Sequence, residues 1–232
     1  YTLVSIGEKA FMNCNLLTSI YLPSKVENIG VGAFGGCYNL SISLSLSNSY
    51  FCVLNNIIYD SSTTKIIAAG NIDSNILINE NVVEILPHAF ENNSNLECIR
   101  FSGTPNIGEY SFNNCENLRN VYFDSYEAPY LGDYSFSNNN FDLYVKYNSI
   151  ELYEDVFYVY TSNIMSVEIL IIYISDDSIL ETESVYNGST IQDLLLPFKK
   201  GYTFNGWYSN EIFDGTCYQN GDLLESETDI YL

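Results

Sequence analysis

Six cysteines, one histidine and three acidic clusters are the side chains best placed to do chemistry in this chain. Cys14, Cys37, Cys52, Cys98, Cys115 and Cys217 include no Cys-x-x-Cys pair, and His88 is the sole imidazole, so the ligand spacing of a zinc site is missing. Cys14, Cys37 and Cys115 share one column of a repeat whose other members are Asn93 and Asn139. Cysteine and asparagine can alternate only where a small, buried, weakly polar group bonds to backbone, so free buried thiols are expected. A bridge between Cys14 and Cys37 on adjacent repeats is the alternative. Any nucleophile–base pair would have to recruit His88, which shares its column with Lys9, Gly32, Tyr110 and Tyr134. A position so varied predicts an exposed loop histidine rather than a general base. Asp176-Asp177, Glu181/Glu183 and Glu225/Glu227/Asp229 lack the Asp-x-Asp-x-Asp-Gly spacing of a calcium loop, which leaves solvated acidic faces or loose cation binding. Gly35-Gly36 is followed by no Lys-Ser/Thr and opens no helix, so it is not a phosphate loop. No catalytic, cofactor-binding or metal-binding residue is predicted.

What must position any other function is a repeat. Ile6, Gly7, Ala10, Phe11, Cys14 and Leu17 recur 23 residues later as Ile29, Gly30, Ala33, Phe34, Cys37 and Leu40. The pattern returns from Ile85 (Ala89, Phe90, Asn93, Leu96), from Ile107 (Gly108, Ser111, Phe112, Cys115, Leu118) and from Leu131 (Gly132, Ser135, Phe136, Asn139). One copy is too short to bury its own apolar face, so neighbouring copies must stack into a solenoid. Leu17 to Leu22 reads as a short strand with Ile20 and Leu22 inward and Ser19 and Tyr21 outward, and its equivalents are Leu96 to Phe101 and Leu118 to Phe123. Gly7, Gly30, Gly108 and Gly132 are expected at tight bends. The small residues at 10, 33, 89, 111 and 135 leave room for a ladder of phenylalanines in the core.

Residues 43–84 break the period. Phe51 to Leu54, Ile57 to Tyr59 and Lys65 to Ala68 are apolar runs separated by Asn55-Asn56 and Asp60 to Thr63, which predicts a β-hairpin carried by an atypical repeat. Leu40, Ile42, Leu44 and Leu46 alternate with serine, which points to a slipped register in the second strand. At the far end, Phe141 to Val145 and then Ser149 to Tyr160 read as a closing segment. Leu152, Tyr153, Val156 and Phe157 then mark an amphipathic capping helix, with Ser149 as N-cap.

The run Ile-Gly-x-x-Ala-Phe-x-x-Cys-x-x-Leu-x-x-Ile-x-Leu-Pro, complete in residues 6–23, resembles the bacterial and protist surface-protein leucine-rich repeats typified by BspA, as does the interrupting Asn55 to Ile67 element. Residues 167–232 lack the period. Their Lys199 to Tyr208 run, anchored by Phe204 and Trp207 around Gly206 and preceded by an Asn187-Gly188 turn and the apolar stretch Ile191 to Leu196, resembles internalin-type B-repeats. That resemblance implies a small ubiquitin-like β-grasp module, although Ser175-Asp176-Asp177 stands where that family has a Gly-Gly turn. The expected organisation is therefore a leucine-rich-repeat solenoid over 1–164, mainly β with one hairpin insertion and a capping helix, followed by an α+β, β-grasp-like module over 165–232.

Composition narrows the function. With 47% hydrophobic residues the chain can bury a core. Eight basic against 29 acidic residues give a net charge of −21, which repels nucleic-acid backbones and anionic lipid. The longest uninterrupted apolar run, Ile169 to Ile174, is strand-sized, so no membrane insertion is predicted within this stretch. Starting at Tyr1 without a leader, the sequence reads as a piece of a longer protein. The expected function is binding, not catalysis. Ser19, Tyr21, Ser43, Ser45, Leu77, Arg100, Asn120 and Tyr122 would line the exposed sheet face, which offers aromatic area and hydrogen bonds. The resemblance implies a cell-surface or secreted, adhesin-type protein that engages an extracellular protein or glycan. A structural stalk or spacer, or an accessory to a large secreted hydrolase, is the alternative.

Overall fold

A computed structural model of the chain describes residues 3–146, 149–166, 168–175, 178–186, 207–208, 217–218 and 230–231. The chain divides into two compact units, Tyr1–Met165 and Ser166–Leu232. Asp176-Asp177, Glu225/Glu227/Asp229, the Asn187-Gly188 turn and Ile191 to Leu196 lie outside what is described, as do the side chains of Glu181, Glu183, Cys217 and the Lys199 to Trp207 signature.

The first unit is a parallel-β solenoid. Each rung contributes a two-residue and a four-residue strand. In chain order these are β1 (Ser5–Ile6), β2 (Ser19–Leu22), β3 (Asn28–Ile29) and β4 (Ser41–Leu44), then the inserted meander β5 (Phe51–Leu54), β6 (Ile57–Asp60) and β7 (Lys65–Ala69). There follow β8 (Asn75–Ile78), β9 (Glu84–Ile85), β10 (Cys98–Phe101), β11 (Asn106–Ile107), β12 (Asn120–Phe123) and β13 (Asp142–Val145). The helix α1 (Ile150–Phe157) and strand β14 (Ile164–Ser166) close the array. The short strands stack as β1-β3 and as β11-β9-β7-β6-β5, with an added bridge from Ile107 to Leu131. The long strands stack as β2-β4 and as β14-β13-β12-β10-β8. In the second unit β15 (Glu168–Ser175), β16 (Ser178–Tyr186), β17 (Trp207–Tyr208), β18 (Cys217–Tyr218) and β19 (Ile230–Tyr231) form one mixed sheet ordered β16-β15-β19-β17-β18.

The phenylalanine column packs as the repeat requires. Phe112 is fully buried and its ring stacks at 4.8 Å on both Phe90 and Phe136; Phe11 and Phe34 form a second stack at 5.5 Å. The cysteine column also has the chemistry its asparagines implied. Cys37 Sγ donates to Phe11 O at 2.9 Å and Cys115 Sγ to Phe90 O at 3.2 Å; Asn93 Nδ2 donates to Gly70 O and Asn139 Nδ2 to Phe112 O. Each side chain thus satisfies a carbonyl of the preceding rung. Cys14 is the exception to the burial expectation. It is exposed. Cys52 and Cys98 are half-buried, and all five described cysteines are free thiols.

Other readings need correction. The Gly7 column does not serve sharp bends, since among the described glycines only Gly32 and Gly36 have positive φ. It serves close approach. A Cβ on Gly30 would lie 2.3 Å from Glu8 N, one on Gly108 2.5 Å from Pro87 N, and one on Gly132 2.6 Å from Glu109 N. Gly7, on the first rung, would meet nothing. In the capping helix Tyr153 and Phe157 are buried but Leu152 is 54% exposed, and Ser149 donates to Lys146 O instead of capping the helix with its side chain.

The insertion is a wall between two cores. Ile57, Tyr59, Ile66 and Ala69 pack into the larger cluster with the Phe90–Phe112–Phe136 stack, while Ile58, Ile67 and Ala68 pack into the smaller one with Phe34. Both faces of the meander are therefore buried. The second strand has indeed slipped: Leu40 follows Leu17 by 23 residues, whereas Ser41 pairs with Ser19, a shift of 22.

Candidate functional site

Strand pairing places the predicted surface residues in rows. On the β2-β4 sheet Ser19 pairs with Ser41 and Tyr21 with Ser43. On the larger sheet Asn75, Cys98, Asn120 and Asp142 form one row, and Leu77, Arg100, Tyr122 and Tyr144 the next. Side chains alternate across each strand, so these rows face out while Ile99, Phe101, Val121 and Phe123 face in.

The expected single face is in fact two. β4 does not pair with β8; Ile42 N instead donates to Asn56 Oδ1 from the inserted meander. Ser19, Tyr21 and Ser43 therefore belong to one sheet, and Leu77, Arg100, Asn120 and Tyr122 to another. Ser45 lies past the end of β4, half-buried in a turn, because the one-residue slip puts Ser41 where the outward serine belongs. Ser41, Asn75, Cys98, Asp142 and Tyr144 complete the rows and escaped the sequence reading. Tyr144 could have been found, since it follows Tyr122 by 22 residues.

The Leu77 row is preorganised. Leu77 is 54% exposed. Arg100 makes a two-pronged contact with Asp124, Nε to Oδ2 at 2.8 Å and Nη2 to Oδ1 at 2.6 Å, which fixes its guanidinium 5.6 Å from the Tyr122 ring centre. Tyr122 stacks on Tyr144 at 4.5 Å, with 11° between their rings. Burial, and then their mutual proximity for Tyr122 and Asp142 for Tyr144, push both phenols above their ordinary range, so they are neutral hydrogen-bonding groups at physiological pH. Such a row can stack, donate and accept; it has no built nucleophile. Among the described residues no group of three His, Cys, Asp or Glu side chains is arranged to hold a metal ion.

His88 is not the exposed loop residue expected from its varied column. It is 8% exposed, its Nδ1 lies 2.7 Å from Glu91 Oε2, and its ring stacks on Tyr110 at 5.4 Å. The room comes from the preceding rung, where Gly32 and Gly35 lie beneath it. What the column demands is backbone conformation: Lys9, Gly32, His88, Tyr110 and Tyr134 all have φ between 54° and 66°. A second left-handed column, two residues after each phenylalanine, holds Asn13, Gly36, Asn92, Asn114 and Asn138. The recurring Phe-x-Asn was its signal in the sequence.

Stacked parallel strands of about 22–24 residues per rung, with an inward Ile–Phe–Leu set and outward polar rows, define a leucine-rich-repeat solenoid. The chain matches the BspA type leucine rich repeat region, in six copies, over residues 4–139 and 69–185, and it belongs to that family. Residues 170–232 match the Listeria-Bacteroides repeat domain. Among solved structures the chain is similar to the pneumococcal vaccine antigen PcpA, at 16% identity over 72% of this chain and 60% of that one, with a TM-score of 0.46. It is also similar to a leucine-rich repeat protein from Eubacterium ventriosum, at 16% identity over 68% and 51% of the two chains, TM-score 0.43. A leucine rich cell surface protein from Faecalibacterium prausnitzii is similar at 21% identity over 71% and 51%, TM-score 0.47. The chain thus spans between about half and three-fifths of the length of these proteins. Among curated proteins no relative matches.

Proposed function

We propose that this chain is a non-catalytic recognition module of a cell-surface or secreted protein, and that the outward Leu77–Arg100–Tyr122–Tyr144 row binds an extracellular protein or glycan. The observation that carries this reading is the Tyr122–Tyr144 stack beside a guanidinium already immobilised by Asp124. Groups held in place before binding lose little entropy when a partner arrives, and aromatic and arginine side chains are the usual anchors of an interface. Location and adhesin character rest on family membership. Tyr21, 61% exposed on the smaller sheet, would add a second and weaker contact region. The β-grasp-like spacer reading of the second unit is supported by its mixed sheet, in which β15 and β19 pair in parallel while β15 pairs antiparallel with β16.

The test is a screen of the full chain on arrays of matrix proteins and host glycans, repeated with a Tyr122→Ser/Tyr144→Ser variant. A hit lost in the variant supports the reading. A hit that survives unchanged moves recognition elsewhere, and no hit at all would favour a stalk.

A further inference from the structure

The left-handed asparagine column carries a site that owes nothing to the strand face. Asn114 Nδ2 donates to Asn92 Oδ1 at 2.8 Å, and Asn92 Nδ2 donates to Asn13 Oδ1 at 3.1 Å. The second of these bonds skips a rung. Asn13 and Asn92 are 79 residues apart, and the residue between them in the column is Gly36. With no side chain at Gly36, the amides of its two neighbours meet across the gap; a Cβ there would lie 2.4 Å from Asn13 Oδ1 and 3.2 Å from Asn92 Nδ2. Beside this crossing lies a hollow of about 310 Å³, walled by Asn15, Gly36, Tyr38, Ser94 and Glu116 as well as the ladder. That volume is at the lower end of the range for small-molecule sites.

We propose that this hollow binds a neutral oligosaccharide. The ladder uses Asn13 Oδ1, both ends of the Asn92 amide and Asn114 Nδ2, so Asn13 Nδ2 is left as a donor and Asn114 Oδ1 as an acceptor. The side chains of Asn15 and Ser94 add groups that can donate and accept. Adjacent sugar hydroxyls each need a donor and an acceptor within a few ångströms, and this lining offers both. The half-exposed Tyr38 ring supplies a flat apolar wall for the C–H face of a sugar ring. Charge selects the class. No lysine or arginine lines the hollow and Glu116 does, so anionic sugars are repelled while hydroxyl donors are welcomed.

The test titrates the 232-residue chain with cellohexaose, maltohexaose and mannohexaose, and with an oligogalacturonate of similar length, reading affinity by calorimetry and the side-chain amide signals by NMR. At least one neutral hexasaccharide is expected to bind and to shift the Asn13, Asn92 and Asn114 amides, while the oligogalacturonate does not. Gly36→Asn installs the residue that the rest of the column carries, in a left-handed conformation that asparagine tolerates, and places a side chain at the wall of the hollow, displacing the Asn13–Asn92 bond. It is expected to weaken binding at least tenfold while the protein still unfolds in one cooperative transition. Tyr38→Ala, which leaves the ladder intact, should weaken it as well, whereas Tyr122→Ser/Tyr144→Ser should leave it unaltered. Failure of all three neutral sugars to bind would overturn the proposal, as would full binding by the Gly36→Asn and Tyr38→Ala variants or equal binding of the acidic oligomer.

Discussion

At the residue scale, this solenoid selects backbone conformation in two columns and a hydrogen-bond donor in a third. Lys9, His88, Tyr110 and Tyr134 have little in common as side chains, yet all adopt the left-handed conformation, and the first three direct their N–H to the next rung: Lys9 N to Val31 O, His88 N to Glu109 O, Tyr110 N to Asp133 O. Variation in such a column is easily mistaken for an unconstrained surface, which is why His88 read as exposed. Its burial depends on Gly32, 56 residues away in sequence, and no local pattern announces that contact. The thiol column was legible because Asn93 and Asn139 replace cysteine there, and only donation to a backbone carbonyl unites the two. A labelling prediction belongs at this scale. Burial pushes the Cys115 thiol up to about 12, so its reactive thiolate is absent near neutrality, while Cys14 stands exposed. Iodoacetamide at pH 8 should modify Cys14 in the native protein and leave Cys115 intact until denaturant is added. Equal labelling of both, read by peptide mass spectrometry, would mean that the column is open to solvent.

At the scale of elements, the rung is held by what it stacks against, so one substitution should have opposite consequences on different rungs. Gly108→Ala puts a methyl group 2.5 Å from Pro87 N and 2.8 Å from Ile85 O, both backbone atoms that cannot yield cheaply. A loss of about 2–4 kcal/mol is expected, in the range of core overpacking or worse. Gly7→Ala meets no neighbour and should fall within about 0.5 kcal/mol of the parent. Urea denaturation of the pair checks this, and similar losses for both would mean that the column matters for some reason other than rung proximity. Phe112→Ala, which removes a fully buried ring from the middle of its stack, should cost about 3–5 kcal/mol by the same measurement; a loss below about 1 kcal/mol would remove the phenylalanine ladder from the core. The strands, the ladder and the terminal helix could be read from periodicity because each rung repeats its neighbours. The insertion could be read as strands but not as a partition. Its two-sided burial follows from where the larger and smaller cores end, and that is a property of the stack rather than of any segment. For the same reason the break between β4 and β8, which divides the candidate binding face, had no signature beyond the lost period of residues 43–84.

For the molecule as a whole, charge and buried protons set how stability responds to solution conditions. At −21, self-repulsion opposes the compact state and is screened by salt, so the melting temperature should rise between 20 and 200 mM NaCl, and a fall would show that the few ion pairs outweigh the repulsion. Alkali acts through buried groups. Cys115 is held protonated by burial, and Tyr153 is raised too, by burial and then by Asp124 and Glu127, its hydroxyl donating to Ser125 O and Glu127 O. In both cases the folded state holds its proton more tightly than the unfolded chain. Stability is therefore complete below the unfolded values, near 9 for the thiol and near 10 for the phenol, and is lost as pH rises beyond them. Each group removes about 1.4 kcal/mol per pH unit, the thiol until its folded value of about 12 is reached. The urea midpoint should be flat from pH 7 to 8.5 and fall steeply from pH 9 to 11. Cys115→Asn, which installs the other residue of that column, deletes that thiol's share and should make the fall between pH 9 and 11 shallower, the remaining thiols that burial raises, Cys37, Cys52 and Cys98, keeping theirs. A midpoint unchanged up to pH 11 in the parent protein would mean that neither proton is buried, and that the stack does not enclose the column on which its rungs were aligned.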